Sequence, residues 1–597
     1  MGKQLGLRSV SSDSRACGVA AGLMLTLGVI VAPALSRASE NPTDKQYLQI
    51  FVGQFALGDA AVPAEVRHRL AAASAKEATD PSGTRWLVTG RGLLEITGRP
   101  PDDFGASGGR TPSRKLWTGK DGLPITAIGG IAVGPDGWIW LGTENGAISF
   151  HLHAAPRDRW FYFWGRRYVS DNRVLSVVAE RHRAWIRTLK GISLIEFKPT
   201  TLEEKSAAFL DRIRLRHNRY GYVADSELTR PGDLASNRPA PTDNDGLWTS
   251  IYVAAECFRY GVTRSPEALA NARASLAALV RLETITGIPG FPARALIRRG
   301  DYREPGGEWH WTSDNQWEWK GDTSSDELVG HFFAYSVAYD LLPDEADRQT
   351  IRPVVARIAG GLLDHGLRLI GYGGRVTTWG NYTPAYFATP DGREDKALDS
   401  LEILSHLRVA WQITGEKRFA DEYLRIARQL GYAQNVAEGA TETPLEINYS
   451  DEELAFLSVY PLLRIEAEPD LRQIYRRAVH ELWRRARTEQ NPLWNFIYGT
   501  SAHACDADRA VEALERIPMD TISWTVRNSQ RADLEILPAA GRFGEKQSRW
   551  AIPPNERRVM KWNGNPFALD GGDDGRSEDD GAFFLLPYWL ARYHHLL

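Results

Sequence analysis

The chain has 597 residues, of which 43% are hydrophobic and 25% charged, a globular composition whose length fits two or three domains. The formal net charge of −3 gives no reason to expect nucleic acid or an anionic membrane surface as a partner. The three cysteines are too few for a disulfide framework, and they lack CxxC spacing. Cys17 lies in the N-terminal segment, so Cys257 and Cys505 either bridge each other or stay free.

The N-terminal segment is predicted to be a targeting sequence. Lys3, Arg8 and Arg15 precede an apolar run from residue 16 to residue 35, and small residues follow it. This pattern is typical of a secretory signal peptide at residues 1–38. Because the apolar run is long for a signal, an uncleaved membrane anchor is the alternative. Both interpretations predict a secreted or periplasmic protein.

Residues 39–200 are predicted to form a β region. Three segments repeat a pattern of Trp, an aliphatic residue, one variable residue and Thr, followed by a Gly turn, and Trp86, Trp140 and Trp185 mark its phase. Each segment predicts a β-hairpin, and their period of roughly 45 to 55 residues suggests propeller blades. The stretch GLPITAIGGIAVGPDGWIWLGTENGAISF, from Gly122, resembles the two-component regulator propeller repeat. Three blades are too few for an ordinary closed ring, so the resemblance implies a partial propeller or one closed against the next domain.

Residues 201–597 are predicted to be helical. Six amphipathic segments, with apolar residues at spacings of three and four, alternate with six segments that are apolar nearly all round. A helix that is apolar on every side is buried. The alternation of outer and inner helices resembles the (α/α)6 toroid. The predicted fold class is therefore mainly α, with a toroidal C-terminal domain and a smaller N-terminal β region of propeller-like blades.

Acidic residues stand at or near the start of five of the six inner helices. All inner helices of a toroid run the same way, so these starts would meet at one end. The candidate catalytic residues are Asp245, Asp326, Glu327, Asp451, Glu452, Asp579 and Asp580. Converging carboxylates would raise the pKa of some members, as a general acid requires. The alternative is ordinary helix capping, because Asp and Ser are favoured N-caps.

Two histidines each follow an acid by four residues, so Glu327 and His331 share a helix face, as do Glu402 and His406. The simpler interpretation is a core histidine held by a carboxylate. No second histidine stands at ligand spacing, so neither a metal site nor a cofactor is predicted. Calcium binding within DGGDDGRSEDDG, from Asp570, is left open, because its spacing is not that of an EF-hand.

The stretch EWHWTSDNQWEWKGD, residues 308–322, places four tryptophans in eleven positions ahead of the second inner helix. Their two-residue spacing predicts a short hairpin with both members of each pair on one face. Two further aromatic and polar loops, from Arg375 and from Met560, precede the third and last inner helices. Three such loops at one end indicate a ligand cleft, although each loop could simply pack over the toroid mouth. The candidate substrate-binding residues are Trp248, Trp309, Trp311, Trp317, Trp319, His331, Arg375, Trp379, Asn381, Tyr382 and Trp562.

Three functions remain open at this level. The toroid resembles those of secreted glycan-degrading enzymes, and paired carboxylates favour a glycoside hydrolase acting on an oligo- or polysaccharide. The second hypothesis is a polysaccharide lyase acting on uronates, with Asn381, Tyr382 and Tyr386 near the chemistry and with Arg375 and His331 as helpers. The third is a glycan-binding or sensor protein without catalysis, because propeller-like repeats also occur in sensor regions. A fold by itself does not decide between them.

Overall fold

The computed structural model describes residues 45–72, 74–98, 113–303, 305–439, 447–502, 505–559 and 561–597. The described residues belong to one compact unit. The predicted targeting segment lies outside them. Among these residues, no helix is both long enough and apolar enough to cross a membrane. Cys257 and Cys505 are free thiols, so the bridge that the sequence left open is not formed.

The N-terminal part is rich in strands. In chain order its elements are β1 (Tyr47–Phe55), α1 (Ala64–Ala71), β2 (Glu77–Thr79), β3 (Arg85–Thr89), β4 (Gly92–Thr97), β5 (Ser113–Trp117), β6 (Ile128–Val133), β7 (Ile139–Thr143), β8 (Gly146–Phe150), β9 (Trp160–Phe163), β10 (Val174–Glu180), β11 (Arg183–Thr188) and β12 (Ile192–Thr200). They form three four-stranded antiparallel sheets with the orders β2-β3-β4-β5, β6-β7-β8-β9 and β1-β12-β11-β10. The third sheet takes its edge strand, β1, from the beginning of the region.

The three predicted hairpins are confirmed. They are β3–β4, β7–β8 and β11–β12, and each occupies the same place in its sheet. Trp86, Trp140 and Trp185 lie in the first strand of each hairpin and are buried. The repeated Trp thus marks a core position of the sheet, since alternate residues of a strand face one side. The resemblance to propeller blades stays a prediction.

The rest of the chain is mainly helical, which confirms the mainly α class with a β-rich N-terminal region. Its helices are α2 (Leu202–Arg212), α3 (Asp245–Thr263), α4 (Pro266–Thr284), α5 (Ser325–Leu341), α6 (Glu345–Asp364), α7 (Pro384–Phe387), α8 (Pro390–Thr414), α9 (Lys417–Leu424), α10 (Tyr432–Glu438), α11 (Tyr449–Ile465), α12 (Pro469–Ala486), α13 (Pro492–Ala502), α14 (Ala507–Arg516) and α15 (Ala582–Tyr593). The strands of the three N-terminal sheets end with β12, and α2 follows. The division into three domains with the predicted boundaries stays a prediction.

Six helices form an inner ring. Along the chain α3, α5, α8, α11, α13 and α15 each pack against the next, and α15 packs back against α3. In α5 every residue from Glu327 to Ala338 is buried, as expected of a helix that is apolar all round. The outer helices pack outside this ring: α4 on α3, α6 on α5 and α8, α9 on α8, α12 on α11, α14 on α13 and α2 on α15. This arrangement is toroid-like and gives all inner helices a common end.

Short strands lie in the connections. They are β13 (Asn218–Arg219), β14 (Tyr222–Val223), β15 (Ser226–Leu228), β16 (Asn237–Pro239), β17 (Ala295–Arg298), β18 (Trp309–Trp311), β19 (Trp317–Lys320), β20 (Arg368–Ile370), β21 (Val376–Asn381), β22 (Val526–Arg527), β23 (Asp570–Gly571) and β24 (Ser577–Glu578). They pair as β17-β19-β18, β16-β15-β24, β20-β21, β13-β14 and β22-β23. Because β24 pairs with β15, the segment that precedes α15 is held against the segment that precedes α3.

Buried polar contacts join the β region to the helices. The ammonium of Lys205, on α2, donates to Oε1 of Gln49 at 2.9 Å and to the carbonyl of Leu514 at 2.8 Å. Burial lowers the pKa of Lys205 well below its usual value. The backbone N–H of Tyr162 donates to Oε1 of Glu556 at 3.1 Å. The β region is therefore held to α2, α14 and the segment that follows.

Candidate functional site

The starts of the inner helices bring carboxyl groups to one end of the ring. Acids occupy the first turn of α3, α5 and α11 and the two positions before the N-cap of α15. The partial positive charge of a helix N-terminus stabilises a carboxylate there. Asp579 and Asp580 also accept backbone N–H groups of Gly581 at 3.3 Å and Ala582 at 2.6 Å. Capping therefore explains part of this placement.

The middle of helix α8 lies at the same end of the inner ring. Thr389 caps it by accepting the N–H of Gly392 at 3.1 Å, and Pro390 occupies the first turn. The helix thus begins earlier than the sequence interpretation assumed. As a result Asp399 and Glu402 lie well inside it and are buried.

Eight carboxyl groups influence one another at this end, and we call them the central carboxylate cluster. They are Asp225, Asp326, Asp399, Glu402, Asp451, Glu453, Asp579 and Asp580. Burial is the largest cause of the raised pKa of Glu402, Glu453 and Asp399. The charge of Asp326 also raises the pKa of Glu402 and of Glu453. The charge of Asp451 also raises the pKa of Asp399 and of Glu402. Asp225, Asp326 and Asp451 are half-buried, whereas the other five are buried. The cluster therefore has a solvent-reachable layer over a buried one.

Glu402 lies in the buried layer. It is 0% exposed, and the hydroxyl of Tyr382 lies beside its carboxyl group. Burial, followed by the charges of Asp399, Asp326 and Asp451, raises its pKa well above the usual value, although Tyr382 opposes the shift. Ionisation of a buried carboxyl is costly, so burial favours the protonated form of Glu402.

Glu453 is the residue that sequence reasoning missed. It is 1% exposed, and burial raises its pKa to about 8, although Lys561 opposes the shift. Glu453 is thus mostly protonated at neutral pH, as a general acid requires. Three acids follow one another at the start of α11, and the sequence interpretation chose the first two. The missed signal is helical geometry, because successive residues of a helix point in directions about 100° apart.

Lys561 brings an ammonium group into the cluster. Its Nζ lies 3.2 Å from Oδ1 of Asp225, 3.7 Å from Oδ2 of Asp580 and 3.8 Å from the ring centre of Trp248. The side chain is 8% exposed, and its Nζ makes no hydrogen bond of normal geometry. Burial opposes the charge, but Asp225, Asp580 and Asp579 outweigh it and raise the pKa of Lys561. Lys561 was not among the sequence candidates, although its neighbour Trp562 was.

Two predicted catalytic acids are occupied by structural bonds. Oδ1 of Asp245 accepts the N–H and hydroxyl of Thr242 at 2.9 and 3.0 Å, and Oδ2 accepts Arg219 at 2.6 Å. Oε1 of Glu327 accepts the N–H of Gly246 at 3.1 Å, so it joins the start of α5 to α3. Burial raises the pKa of both carboxyls. Both are fully buried, and their bonds go to Thr242, Arg219 and Gly246 rather than to the first turns of their own helices.

Both histidines are core residues. The ring of His331 is fully buried, with Nδ1 2.7 Å from the carbonyl of Glu327 and Nε2 3.4 Å from that of Leu279. Both nitrogens lie near backbone carbonyls, and a neutral ring donates its single N–H to one of them. His406 is also buried and stacks on Phe332, with ring centres 4.4 Å apart. Burial lowers the pKa of each ring, so both are neutral.

Glu452 faces away from the central cluster. It lies beside Glu489, whose pKa is raised well above the usual value by burial and then by Glu452. The acids at the start of α11 therefore diverge, with Asp451 and Glu453 toward the ring axis and Glu452 toward the connection before α13.

The tryptophan stretch forms the predicted hairpin. Strands β18 and β19 pair Trp309 with Lys320 and Trp311 with Glu318, so Trp309 and Trp311 share one face. Trp317 and Trp319 share the opposite face. Trp311 is 48% exposed, whereas Trp319 is 2% exposed and packs on Phe291. The four rings therefore do not form one aromatic floor: one pair faces outward, and the other packs toward the domain.

The second aromatic loop is tied to this hairpin. Arg375 pairs with Glu308 at 2.9 Å, and Asp322 accepts the N–H and hydroxyl of Thr378 at 2.8 and 2.9 Å. The next residue, Trp379, is 55% exposed. The two loops together therefore present outward-facing tryptophans, while the cation of Arg375 is neutralised.

Three other predicted binding residues are less accessible. Asn381 is half-buried and accepts the hydroxyl of Thr383 at 2.9 Å. Tyr382 is 0% exposed, and burial and then Glu402 raise its pKa. Trp562 is 6% exposed and packs on Phe583, with ring centres 5.8 Å apart. These three support the end of the ring from within.

The predicted site residues fall into three groups. The structure brings Asp326, Asp451, Asp579, Asp580 and Trp248 to the central cluster. It places Asp245, Glu327, Glu452, His331, Tyr382, Trp319 and Trp562 in buried positions with structural contacts. It leaves Trp309, Trp311, Arg375 and Trp379 on the two outer loops, with Trp317 and Asn381 half-buried at their bases.

A cation could be held by three of these acids. Asp225, Asp579 and Asp580 present oxygen atoms within 4.8 Å of one another. Carboxylate oxygens suit calcium or magnesium, but the Lys561 ammonium already stands beside two of these side chains. The nearby Asp573, in the segment considered for calcium, accepts the N–H groups of Gly575 and Arg576 at 3.0 and 2.8 Å. Its carboxylate closes a turn.

A second space lies between the β region and the helices. This cavity of about 950 Å³ is lined by β1, by α14 and by Glu578. Its charges are largely paired: Arg516 lies 2.8 Å from Asp158, and Arg216 binds Glu578 at 2.6 Å. Burial opposes ionisation of Glu578, but Arg216 outweighs it and lowers its pKa to about 2. Glu515 also lines this cavity, and burial, with the nearby charges of Asp158 and Glu512, raises its pKa, while Lys205 opposes the shift.

No protein-family model and no curated protein matches the chain. Among solved structures it is similar to a sugar epimerase from a ruminal bacterium, at 11% identity and a TM-score of 0.34 over 65% of this chain and 98% of that one. It is also similar to a family 76 glycoside hydrolase from a bovine Bacteroides thetaiotaomicron strain (7% identity, TM-score 0.37, 88% and 97% covered). A third is a rhamnosidase from Klebsiella oxytoca, at 11% identity and a TM-score of 0.26 over 92% of this chain and 96% of that one. These TM-scores lie below 0.5, so the similarities assign neither a family nor an activity.

Proposed function

We propose that the protein is a glycoside hydrolase whose active site is the central carboxylate cluster. One observation carries the proposal: the buried Glu453 and the half-buried Asp326 stand at the starts of two inner helices that pack together, and the charge of Asp326 helps burial to raise the pKa of Glu453 to about 8. Glycosidases use two carboxyl groups in unlike environments, one to protonate the leaving oxygen and one to act as base or nucleophile.

Glu453 is the proposed general acid. Its pKa of about 8 keeps the proton available at neutral pH. The nearby carboxylate of Asp326 contributes to this raised pKa, because its charge opposes ionisation of Glu453. Asp326 is the proposed second carboxyl, because it is close enough to raise the pKa of Glu453 and is half-buried. Asp451 flanks them from the same helix as Glu453. Asp245, Glu327 and Glu452 are not assigned a chemical role, because their contacts are structural.

The proposed glycan contacts are aromatic. Trp248 lies within the cluster under Lys561. Trp309, Trp311 and Trp379 stand on the outer loops, and the apolar faces of their rings match the C–H faces of sugars. We therefore infer that the glycan crosses these loops to reach the acids.

The lyase hypothesis is less well supported. A lyase neutralises the substrate carboxylate with cations, but Arg375 is paired with Glu308. The cluster itself is rich in carboxylates, which repel a uronate. The arrangement of charges therefore favours hydrolysis over elimination.

The test is turnover on a panel of polysaccharides, followed by new reducing ends and by ultraviolet absorbance. Hydrolysis produces reducing ends without absorbance, and Glu453→Gln or Asp326→Asn lowers the rate by about 100-fold or more. Glu394→Gln, an exposed position on α8, is the matched control. Absorbing products would establish a lyase. Binding without turnover across the panel would establish a glycan-binding protein, and active variants with lower melting temperatures would make both acids structural.

We also propose that the protein is exported and that its β sheets are propeller-like blades. Export rests on the predicted signal at residues 1–38, and the blades rest on the three repeated hairpins. N-terminal sequencing of the protein recovered outside the cytoplasm tests export, because a cleaved signal leaves a new N-terminus near residue 39.

A further inference from the structure

The cavity between the β region and the helices has one wall that is rich in guanidinium groups. We call this space, of about 950 Å³, the second cavity. Four arginines of its lining contact either the segment from Met519 to Trp524 or Glu578, which bridges to that segment at Ile522. They are Arg166, Arg167, Arg212 and Arg216. The carboxyl groups that the described residues add to this wall are those of Asp520 and Glu578.

Two of these guanidinium groups have no carboxylate partner among the described residues. Arg167 is 3% exposed and donates to the carbonyls of Arg557 at 2.7 Å and Ile522 at 3.5 Å, while its Nε makes no hydrogen bond. Arg166 is exposed, and its guanidinium lies 4.5 Å from the ring centre of Trp524. A buried charge is costly unless an opposite charge or hydrogen bonds compensate it. The charge of Arg167 is therefore satisfied only in part.

The other two arginines of this wall share one carboxylate. Arg216 binds Glu578 at 2.6 and 2.7 Å, and Nε of Arg212 lies 3.4 Å from the same carboxyl group. The carboxylate of Asp520 accepts the indole N–H of Trp524 at 2.8 Å. Two carboxylates thus stand against four guanidinium groups, so this wall attracts an anion.

The acids elsewhere in the second cavity are engaged by other groups. Their contacts are Arg516 with Asp158 at 2.8 Å, Arg157 with Glu512 at 2.6 Å, and the backbone N–H of His182 with Asp136 at 2.6 Å. Burial raises the pKa of Glu515, which favours its uncharged form. These acids therefore leave the surplus of guanidinium groups on the other wall in place.

Aromatic rings form another part of the lining. Trp138 and Phe161 are half-buried, and Trp138 stacks on His151 with ring centres 3.6 Å apart. We propose that the second cavity binds an acidic di- or trisaccharide, with its carboxylate on Arg166 and Arg167 and its rings on these aromatic side chains. A guanidinium group matches a carboxylate with two parallel hydrogen bonds, and aromatic faces match the C–H faces of sugars. The cavity volume falls in the range of about 300–1,000 Å³ that small-molecule sites have. This site is separate from the central carboxylate cluster and does not depend on hydrolysis there.

The experiment is isothermal titration calorimetry of the full chain at pH 7. The probes are trigalacturonate, the neutral trimer maltotriose and inorganic sulfate. We expect trigalacturonate to bind about 10-fold or more tightly than maltotriose, as the gain of a charge-assisted contact implies, and its affinity should fall as salt rises. Sulfate should bind more weakly than trigalacturonate, because it has no ring to pack on aromatic side chains. Equal affinity for the two trimers overturns the inference, and so does sulfate that binds as tightly as trigalacturonate.

Variants locate the binding site. Arg166→Gln should weaken trigalacturonate binding by about 10-fold, and the fold should be kept because this side chain is exposed. Arg181→Gln, an exposed arginine on the turn between β10 and β11, is the matched control and should bind as the wild type does. Asp326→Asn should also leave the affinity unchanged, because it alters the central carboxylate cluster instead. Unchanged affinity in Arg166→Gln, or affinity lost in Asp326→Asn, overturns the inference.

Discussion

Replacing Glu453 with Gln tests the buried acid on which the proposed chemistry depends. Gln has nearly the shape of a protonated Glu but cannot ionise. The pKa of Glu453 rises from 4.5 to about 8, chiefly because the side chain is buried. The unfolded chain releases this proton above pH 4.5, whereas the folded protein retains it until about pH 8. The stability from this group is therefore fully present below pH 4.5 and is lost as pH rises toward 8.

The magnitude follows from the shift. Each pH unit between the two pKa values costs about 1.4 kcal/mol, so from pH 5 to pH 8 the wild type loses about 4 kcal/mol that Glu453→Gln does not lose. The two proteins should be similar near pH 5, and the variant should be the more stable at pH 8. Other buried acids contribute equally to both proteins and cancel in the comparison.

The assay is urea denaturation of both proteins at pH 5, 6, 7 and 8, with Glu394→Gln as the exposed control. A difference in unfolding free energy that stays constant across this range would refute the reasoning, because it would mean that Glu453 ionises normally in the folded protein. Activity gives a second readout: hydrolysis by the wild type should decline above about pH 8, and the variant should be nearly inactive at every pH.

Three further outcomes follow from burial and contacts. Trp311→Ala and Trp379→Ala should weaken glycan binding in affinity electrophoresis and leave the melting temperature nearly unchanged, since these side chains are 48% and 55% exposed. The buried control, Trp319→Ala, should instead cost about 3–5 kcal/mol of stability in chemical denaturation. Asp245→Asn leaves Arg219 without its carboxylate, so it should lower the stability by more than the roughly 1 kcal/mol of a simple cap. It should leave kcat unchanged. A loss of kcat at unchanged stability would make Asp245 a catalytic residue again. Lys205→Met should destabilise the protein by about 3 kcal/mol in the same denaturation assay, because it leaves buried acceptors unpaired; an unchanged midpoint would show that α2 and α14 do not depend on it.

Periodicity was sufficient for most of the architecture. The segments that are apolar all round became the inner ring, and the repeated tryptophans became equivalent core positions in three sheets. Both results follow from local rules, because the periods of helix and strand decide which residues can be buried together. The start of α8 was misplaced, since Thr389 and Pro390 begin the helix ahead of its apolar part.

The chemistry was less accessible to sequence reasoning. Seven acids were chosen because they stand near helix starts, but a helix start does not tell which way a side chain points. Asp245 pairs with Arg219, and Glu452 lies beside Glu489. Glu453 instead lies near Asp326 and Lys561, whose charges shift its pKa. Direction around the helix axis, and not position along it, separates a cap from a member of the cluster.

The sequence by itself determined that acids would crowd one end of a helical ring and that a β region would precede it. Only the tertiary structure decided which acids share a space, because Asp326, Glu453 and Lys561 are far apart in the chain. Helices α5 and α11 pack together, and Lys561 reaches the ring over Trp248 of α3. It also decided their protonation, since burial and the charge of neighbours set a pKa, and neither is a property of the residue alone.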